Sequence, residues 1–176
     1  NAALVGWGPS RRVVLSDTLL AEYAGEEVEA VLAHEVAHQL GWHIPQMLLV
    51  RGALLFSGLY LAEWLLARPA GLDWMGISLP SSAAPASLPA VWLTLSVWGS
   101  VWAPVLRAYS RGLERGCDAF AVENTRGTGG LASALEKLCR KNLADPSPPR
   151  WVVGLFHTHP APADRIRWAR QREARE

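Results

Sequence analysis

His34, Glu35 and His38 form an HExxH pentapeptide inside a run, residues 26–42, whose apolar spacing predicts a helix. At 3.6 residues per turn, positions four apart lie about 40° apart around the axis, one turn above each other. His34 and His38 therefore present imidazole nitrogens to one point, with Glu35 on the flank of that face. A catalytic zinc takes three protein ligands and keeps one position open for water, whose pKa it lowers towards about 7. HExxH supplies two of those ligands and a carboxylate able to take the water's proton. The same spacing arises on solvated helices. Here Val28, Val31, Leu32, Val36 and Leu40 make the surroundings apolar, so without a metal the fold would have to bury two histidines and a glutamate.

A chain of 176 residues is long enough for one domain with its own core. A net charge of +1, with no basic stripe carrying interleaved aromatics, argues against a nucleic-acid partner. Cys117 and Cys139 make neither a disulfide framework nor a CxxC, which favours a reducing, cytosol-facing environment. The opening Asn1, without methionine or a signal-peptide pattern, is expected of a piece of a longer protein.

Residues 2–7 and 12–16 read as two strands joined by Gly8-Pro9-Ser10. Ser16 or Asp17 can cap a short helix through Tyr23, and Gly25 separates it from the HExxH helix. Gly41 and Pro45 are expected to end that helix. A strand edge beside a metal could hold an extended substrate by main-chain hydrogen bonding, and the hairpin is placed in sequence for that task.

Two apolar stretches follow. Residues 46–67 are apolar except for Arg51 and Glu63, which lie near the ends, where long side chains reach a membrane interface. Residues 74–106 carry no charge; their helical part, 89–106, spans about 27 Å, with Pro104 near its far end. Trp64, Trp74, Trp92, Trp98 and Trp102 lie in or beside these stretches, and residues 69–85 between them are rich in Pro, Ser, Ala and Gly. The pattern predicts a transmembrane hairpin with aromatic ends, against the alternative of two buried helices in a soluble domain. Arg107, Arg111 and Arg115 after the hairpin, against Arg68 alone in its loop, put the catalytic side in the cytoplasm.

Residues 108–125 read as a further helix carrying Glu114 and Asp118, four apart and so on one face. A turn at 127–130, an amphipathic helix over 131–143 and a proline-rich loop at 145–150 follow. Residues 151–156 then lead into His157-Thr158-His159-Pro160, and the tail from Asp164 is helical, with its arginines read as a solvated face. Candidates for a third metal ligand are His43, His157, His159, Glu114 and Glu123. Glu114 is favoured because its helix also offers Asp118, and a ligating histidine usually gives its other ring N–H to a carboxylate. Otherwise Glu114 and Asp118 would pair with Arg111, Arg115 or Arg165 on a surface. Cys117 reads as a small buried hydrophobe rather than a ligand.

HEVAH, a hydrophobic hairpin, Ser110-Arg111-x-x-Glu114-x-x-x-Asp118-x-x-Ala121 and His159-Pro160-x4-Arg165-Ile166 together resemble the membrane zinc metallopeptidases of the HtpX and type I CAAX prenyl protease family. The similarity runs through nearly the whole chain. Ala134-Leu-x-Lys-Leu, Asn142-Leu143 and His43 look closer to the CAAX protease branch. The resemblance implies His34, His38 and Glu114 as ligands of one zinc per chain, with Glu35 as general base and acid. It implies that Asp118 hydrogen-bonds a ligand histidine, that Arg165 braces the Glu114–Asp118 helix, and that His159 stabilises the oxyanion. Asn1 and Ala2 would hold the substrate backbone. His159 precedes proline, which keeps its backbone extended and turns His157 to the other side, so His157 is read as structural. The chain departs from the family pattern at Ala3, where an aromatic is usual, and at Gly116-Cys117.

The expected fold is therefore mainly α (α+β): a gluzincin-type core with a small β-hairpin edge sheet and an inserted two-helix membrane hairpin, residues 46–106, within one metallopeptidase domain over 1–176. The expected activity is zinc-dependent endopeptidase cleavage of membrane-associated or prenylated protein substrates by an integral membrane protein. The partners are the peptide substrate and the lipid bilayer. Two alternatives remain: a BlaR/MecR-type sensor metalloprotease, which the Glu-x-x-Cys-Asp run resembles, and an inactive membrane scaffold.

Overall fold

The computed structural model describes residues 2–6, 8–67, 85–125 and 130–174. Asn1, Arg68, Trp74, most of the 69–85 connection and the start of the 127–130 turn, all singled out in the sequence, lie outside those residues.

Strands β1 (Ala2–Val5) and β2 (Arg12–Leu15) pair antiparallel, with Ala2 opposite Leu15 and Val5 opposite Arg12. The connection contains a single 3-10 turn, Gly8–Ser10. Gly6 is held at φ 93°, and a Cβ there would fall 2.2 Å from the Ser10 carbonyl oxygen, so only glycine closes this turn. Ser16 caps helix α1 (Asp17–Glu22) by accepting the Leu19 N–H at 3.3 Å.

Helix α2 (Gly25–Leu40) carries the HExxH run, and β1 packs beside it. Its N-terminus is half of a capping box: Glu27 reaches back to the Ala24 N–H at 2.8 Å, while alanine has no side-chain acceptor to return the contact. Glu27 is buried and also takes Lys137 Nζ at 2.6 Å and the Ser133 hydroxyl. Helix α3 (His43–Leu66) starts three residues after α2 ends and two before Pro45, so the proline lies in its first turn. Helix α4 (Leu88–Asn124) is continuous where two segments were expected. Pro104 removes one N–H, and no glycine-rich turn follows to reverse the chain, so the helix carries on through Arg107.

Helices α5 (Gly130–Lys141), α6 (Arg150–Phe156) and α7 (Pro162–Glu173) complete the order. The 151–156 segment, given no helix from sequence, is α6. Two guanidinium groups of α4 tie its carbonyls down: Arg107 donates to Leu155 O at 2.8 Å, and Arg111 to Val153 O at 3.0 Å and His157 O at 2.8 Å.

The chain divides into two compact units, one of residues 1–44 and 106–176 and one of Pro45–Val105. In the first, Ala30, Ala121, Val122, Leu131, Ala132, Leu135 and Ala169 form the core, with Ala33, Ile166 and Trp168 against it. Alanines at these positions let helices approach closely. At Gly130 the approach is closer still, since a Cβ there would lie 2.8 Å from the Glu26 carbonyl oxygen. In the second unit, Trp98 donates its indole N–H to Leu54 O at 3.1 Å and Ser57 Oγ at 3.2 Å, over Gly58, a small residue that admits the ring. Phe56, Tyr60, Trp92, Val97 and Val101 stay exposed. Both long helices are long and apolar enough to cross a membrane.

Candidate metal centre

Helix geometry places His34 and His38 on one face of α2, their ring centroids 5.0 Å apart. Glu114 of α4 faces both: His34 Nε2 lies 3.4 Å from Oε2, and His38 Nε2 lies 3.3 Å from Oε1. Ligands about 2.0–2.1 Å from a tetrahedral ion are separated from each other by about 3.3 Å, so each histidine already stands at ligand spacing from the Glu114 carboxylate, and all three ligand atoms lie within 4.8 Å of one another. Both His34 (12% exposed) and Glu114 (6%) are withdrawn from bulk water. Buried Glu114 Oε2 has no aligned hydrogen bond. Two buried carboxylates, Glu114 and Asp118, face one guanidinium, Arg165, and the two imidazoles. The residues fit the metal that the motif requires.

Asp118, one turn after Glu114, stands 3.0 Å from His34 Nδ1 and accepts two hydrogen bonds from Arg165 of α7. The His34–Asp118 contact is short but poorly aligned as a hydrogen bond, so proximity and charge carry it more than direction. Burial pushes the His34 pKa down, but contacts with Asp118 and then Glu114 outweigh it and leave it raised to about 9. Burial pushes both carboxylic acids up. The histidines His159, His34 and His38 around Glu114, and His34 with Arg165 around Asp118, outweigh it and hold both below the ordinary range. Burial, then the charges of Glu114 and Asp118, raise the Cys117 thiol to about 12, and its side chain is fully buried.

These groups open onto a cavity of about 410 Å³ lined by His34, Glu35, Glu114, His159 and Arg165, and by Ala2 of β1. Leu19, Val31, Leu131, Leu135 and Leu138 supply apolar wall. His159 is more than half exposed and reaches Glu114 Oε1 with Nε2 at 3.3 Å. A larger cavity of about 1000 Å³ between α5 and α7 contains none of these side chains.

The structure thus gathers His34, Glu35, Glu114, His159, Arg165 and Ala2 around one cavity, with His38 behind it against Glu114 and Asp118 against His34 and Arg165. It does not bring in Glu123, which pairs with Arg172 at 3.5 Å on the surface, and His157 contributes its carbonyl to Arg111. His43 faces the opposite nitrogen of His38, Nδ1 to Nδ1 at 3.0 Å. Tyr23, Lys141 and Asn142 also line the cavity, although no role was given to them from sequence; the amphipathic period of α5 was the available signal, since its inner face ends there.

Over 175 residues the chain is 29% identical to a Bacillus subtilis (strain 168) protein named uncharacterized metalloprotease YhfN, an alignment covering 98% of this chain and 41% of that one. A protease HtpX homolog of Streptococcus mutans serotype c is 30% identical over 192 residues, covering 95% and 62%. The crystal structure of S. mikatae Ste24p matches with a TM-score of 0.71 at 25% identity, over 95% of this chain and 41% of that one. The chain spans about two-fifths to three-fifths of the length of these relatives. The family model described as peptidase family M48 matches residues 1–173, and the chain belongs to that family.

Proposed function

We propose that this chain forms the catalytic part of a membrane-embedded zinc metalloendopeptidase that cleaves membrane-associated proteins, with prenylated proteins among its candidate substrates. The observation that carries the reading is the set of His34, His38 and Glu114 at ligand spacing beside Glu35, on a cavity that β1 borders. One zinc held by those three side chains would polarise the scissile carbonyl and lower the pKa of water. Glu35 takes the proton of the attacking water and delivers it to the leaving amine. His159 donates to the oxygen on which charge develops, a contact of the kind worth a few kcal/mol of barrier. Asp118, held by Arg165, keeps His34 turned to the site. An extended substrate adds to the edge of β1 at Ala2, beside Asn1, and its apolar side chains meet the wall formed by Val31, Leu131 and Leu135.

The relatives named as HtpX homolog and Ste24p support proteolysis over the sensor and scaffold readings. The hairpin of α3 and the first part of α4 crosses the bilayer on this reading, because its exposed apolar side chains have no other solvent suited to them. Arg107, Arg111 and Arg115 favour a cytoplasmic catalytic side.

Bound zinc per chain in detergent-purified protein, beside Glu114→Ala and Glu35→Gln, tests the proposal. One zinc is expected in the parent and in Glu35→Gln, and none in Glu114→Ala, with peptide cleavage lost by orders of magnitude in both variants. A well-folded parent without zinc, or full activity in Glu35→Gln, overturns it.

A further inference from the structure

His43 was weighed from sequence as a third ligand, and its geometry gives it a different task. Its Nδ1 lies 3.0 Å from His38 Nδ1, on the side of the His38 ring away from Glu114. A neutral imidazole has one N–H and one lone pair, so two nitrogens at this distance require one donor and one acceptor. Ligation through His38 Nε2, the atom 3.3 Å from Glu114 Oε1, needs the lone pair there and therefore the proton on Nδ1. We infer that His43 is a positioning residue that accepts the His38 Nδ1–H and fixes the tautomer of this ligand. The inference rests on the metallopeptidase reading and deepens it.

Two features of the local fold hold His43 in that role. Its ring folds back over Gly41, where an added Cβ would lie 2.3 Å from His43 Nε2. Glycine at the end of α2 thus leaves the space that the ring occupies, and only Nδ1 is turned to His38. Between them Trp42 sits at φ 54°, a left-handed conformation that costs a bulky residue about 1–3 kcal/mol. That strained turn brings His43 back to His38 within five residues.

Cys117 Sγ lies 3.5 Å from the same His43 nitrogen, so the trio could be taken for a second, softer metal site. Lone-pair counting decides against it. His38 Nδ1 has no lone pair to offer while Nε2 serves the first site, and His43 Nδ1 spends its own on the His38 N–H.

The test uses three variants of the intact chain. His43→Asn puts an acceptor oxygen near the place of Nδ1, and His43→Leu puts a methyl group there. Gly41→Ala displaces the ring without backbone strain, because Gly41 has ordinary right-handed angles. Zinc affinity is read by competition with a chelator, kcat and KM at saturating zinc, and folding by the unfolding midpoint of the metal-free protein. His43→Leu and Gly41→Ala are expected to weaken zinc binding about 10- to 100-fold, the usual effect of losing such a partner. His43→Asn is expected to stay near the parent, and the metal-free midpoints to remain together. Parent-like zinc affinity in His43→Leu, or a loss in His43→Asn as large as in His43→Leu, overturns the inference while leaving the peptidase reading intact. A folded parent that binds no zinc overturns both.

Discussion

Arg165 grips both carboxylate oxygens of Asp118, Nε to Oδ2 at 2.8 Å and an Nη to Oδ1 at 2.6 Å, and Asp118 Oδ1 stands 3.0 Å from His34 Nδ1. One fork therefore links α7, α4 and α2 at the centre of the site. Arginine suits the task because its planar donors match both oxygens at once. Arg165→Met would leave a buried carboxylate without its cation, a change that costs about 3–5 kcal/mol. Thermal unfolding of the purified protein should show that loss. Arg165→Lys, which keeps the charge and loses the fork, should fall between parent and Arg165→Met.

Metal removal should destabilise the protein, by an amount that grows with the logarithm of the zinc affinity. A ligand at 100 times its Kd adds about 2.7 kcal/mol to the folded state. Chelation of the parent and of Glu35→Gln should lower the unfolding temperature, whereas Glu114→Ala should show no response. A chelator response in Glu114→Ala equal to that of the parent would remove Glu114 from the ligand set.

Glu27 predicts an acid limit away from the metal. Burial pushes its carboxyl up, but Lys137, Ser133 and the Ala24 N–H outweigh it and leave the pKa below the ordinary 4.5. A depressed folded pKa means that the unfolded chain takes up the proton first. The Glu27 contribution is then full above about pH 4.5 and is lost as pH falls through the lower folded value. Denaturant unfolding of zinc-free protein between pH 6 and 3 should fall less steeply in Glu27→Gln, which starts less stable at pH 6. Parallel curves would exclude Glu27 as a source of the acid sensitivity.

Gly130→Ala tests the close approach of α5 to α2. The new methyl would sit 2.8 Å from the Glu26 carbonyl oxygen, so backbone must move, an overpacking usually costing about 1–3 kcal/mol. Helix propensity acts in the opposite direction, by up to about 1 kcal/mol. A net loss of unfolding free energy in chemical denaturation is expected; a gain would show that the two helices separate easily.

Much of the fold was legible because it depends on local rules. The HExxH spacing, the Ser16 cap, the hairpin ends and the uncharged stretches each depend on residues near one another in the chain. The single helix Leu88–Asn124 was read as two because a proline and a change from apolar to charged residues look like a boundary. Neither reverses a chain without a turn. Helix α6 was missed for the opposite reason, since its carbonyls are tied down by Arg107 and Arg111, more than forty residues away.

The sequence by itself determined the chemistry on offer: two imidazoles and a carboxylate on one helical turn, and Glu114 with Asp118 one turn apart on another. Helical periodicity makes such neighbours certain once each helix forms. Only the tertiary structure decided how those pairs meet. It set Glu114 between His34 and His38, brought Arg165 from α7 to Asp118, and left Glu123 on the surface with Arg172. It also turned His43 behind His38, through the space left at Gly41 and a left-handed Trp42. Which of several chemically equivalent side chains reaches a buried point depends on packing between distant helices, and no local spacing encodes that.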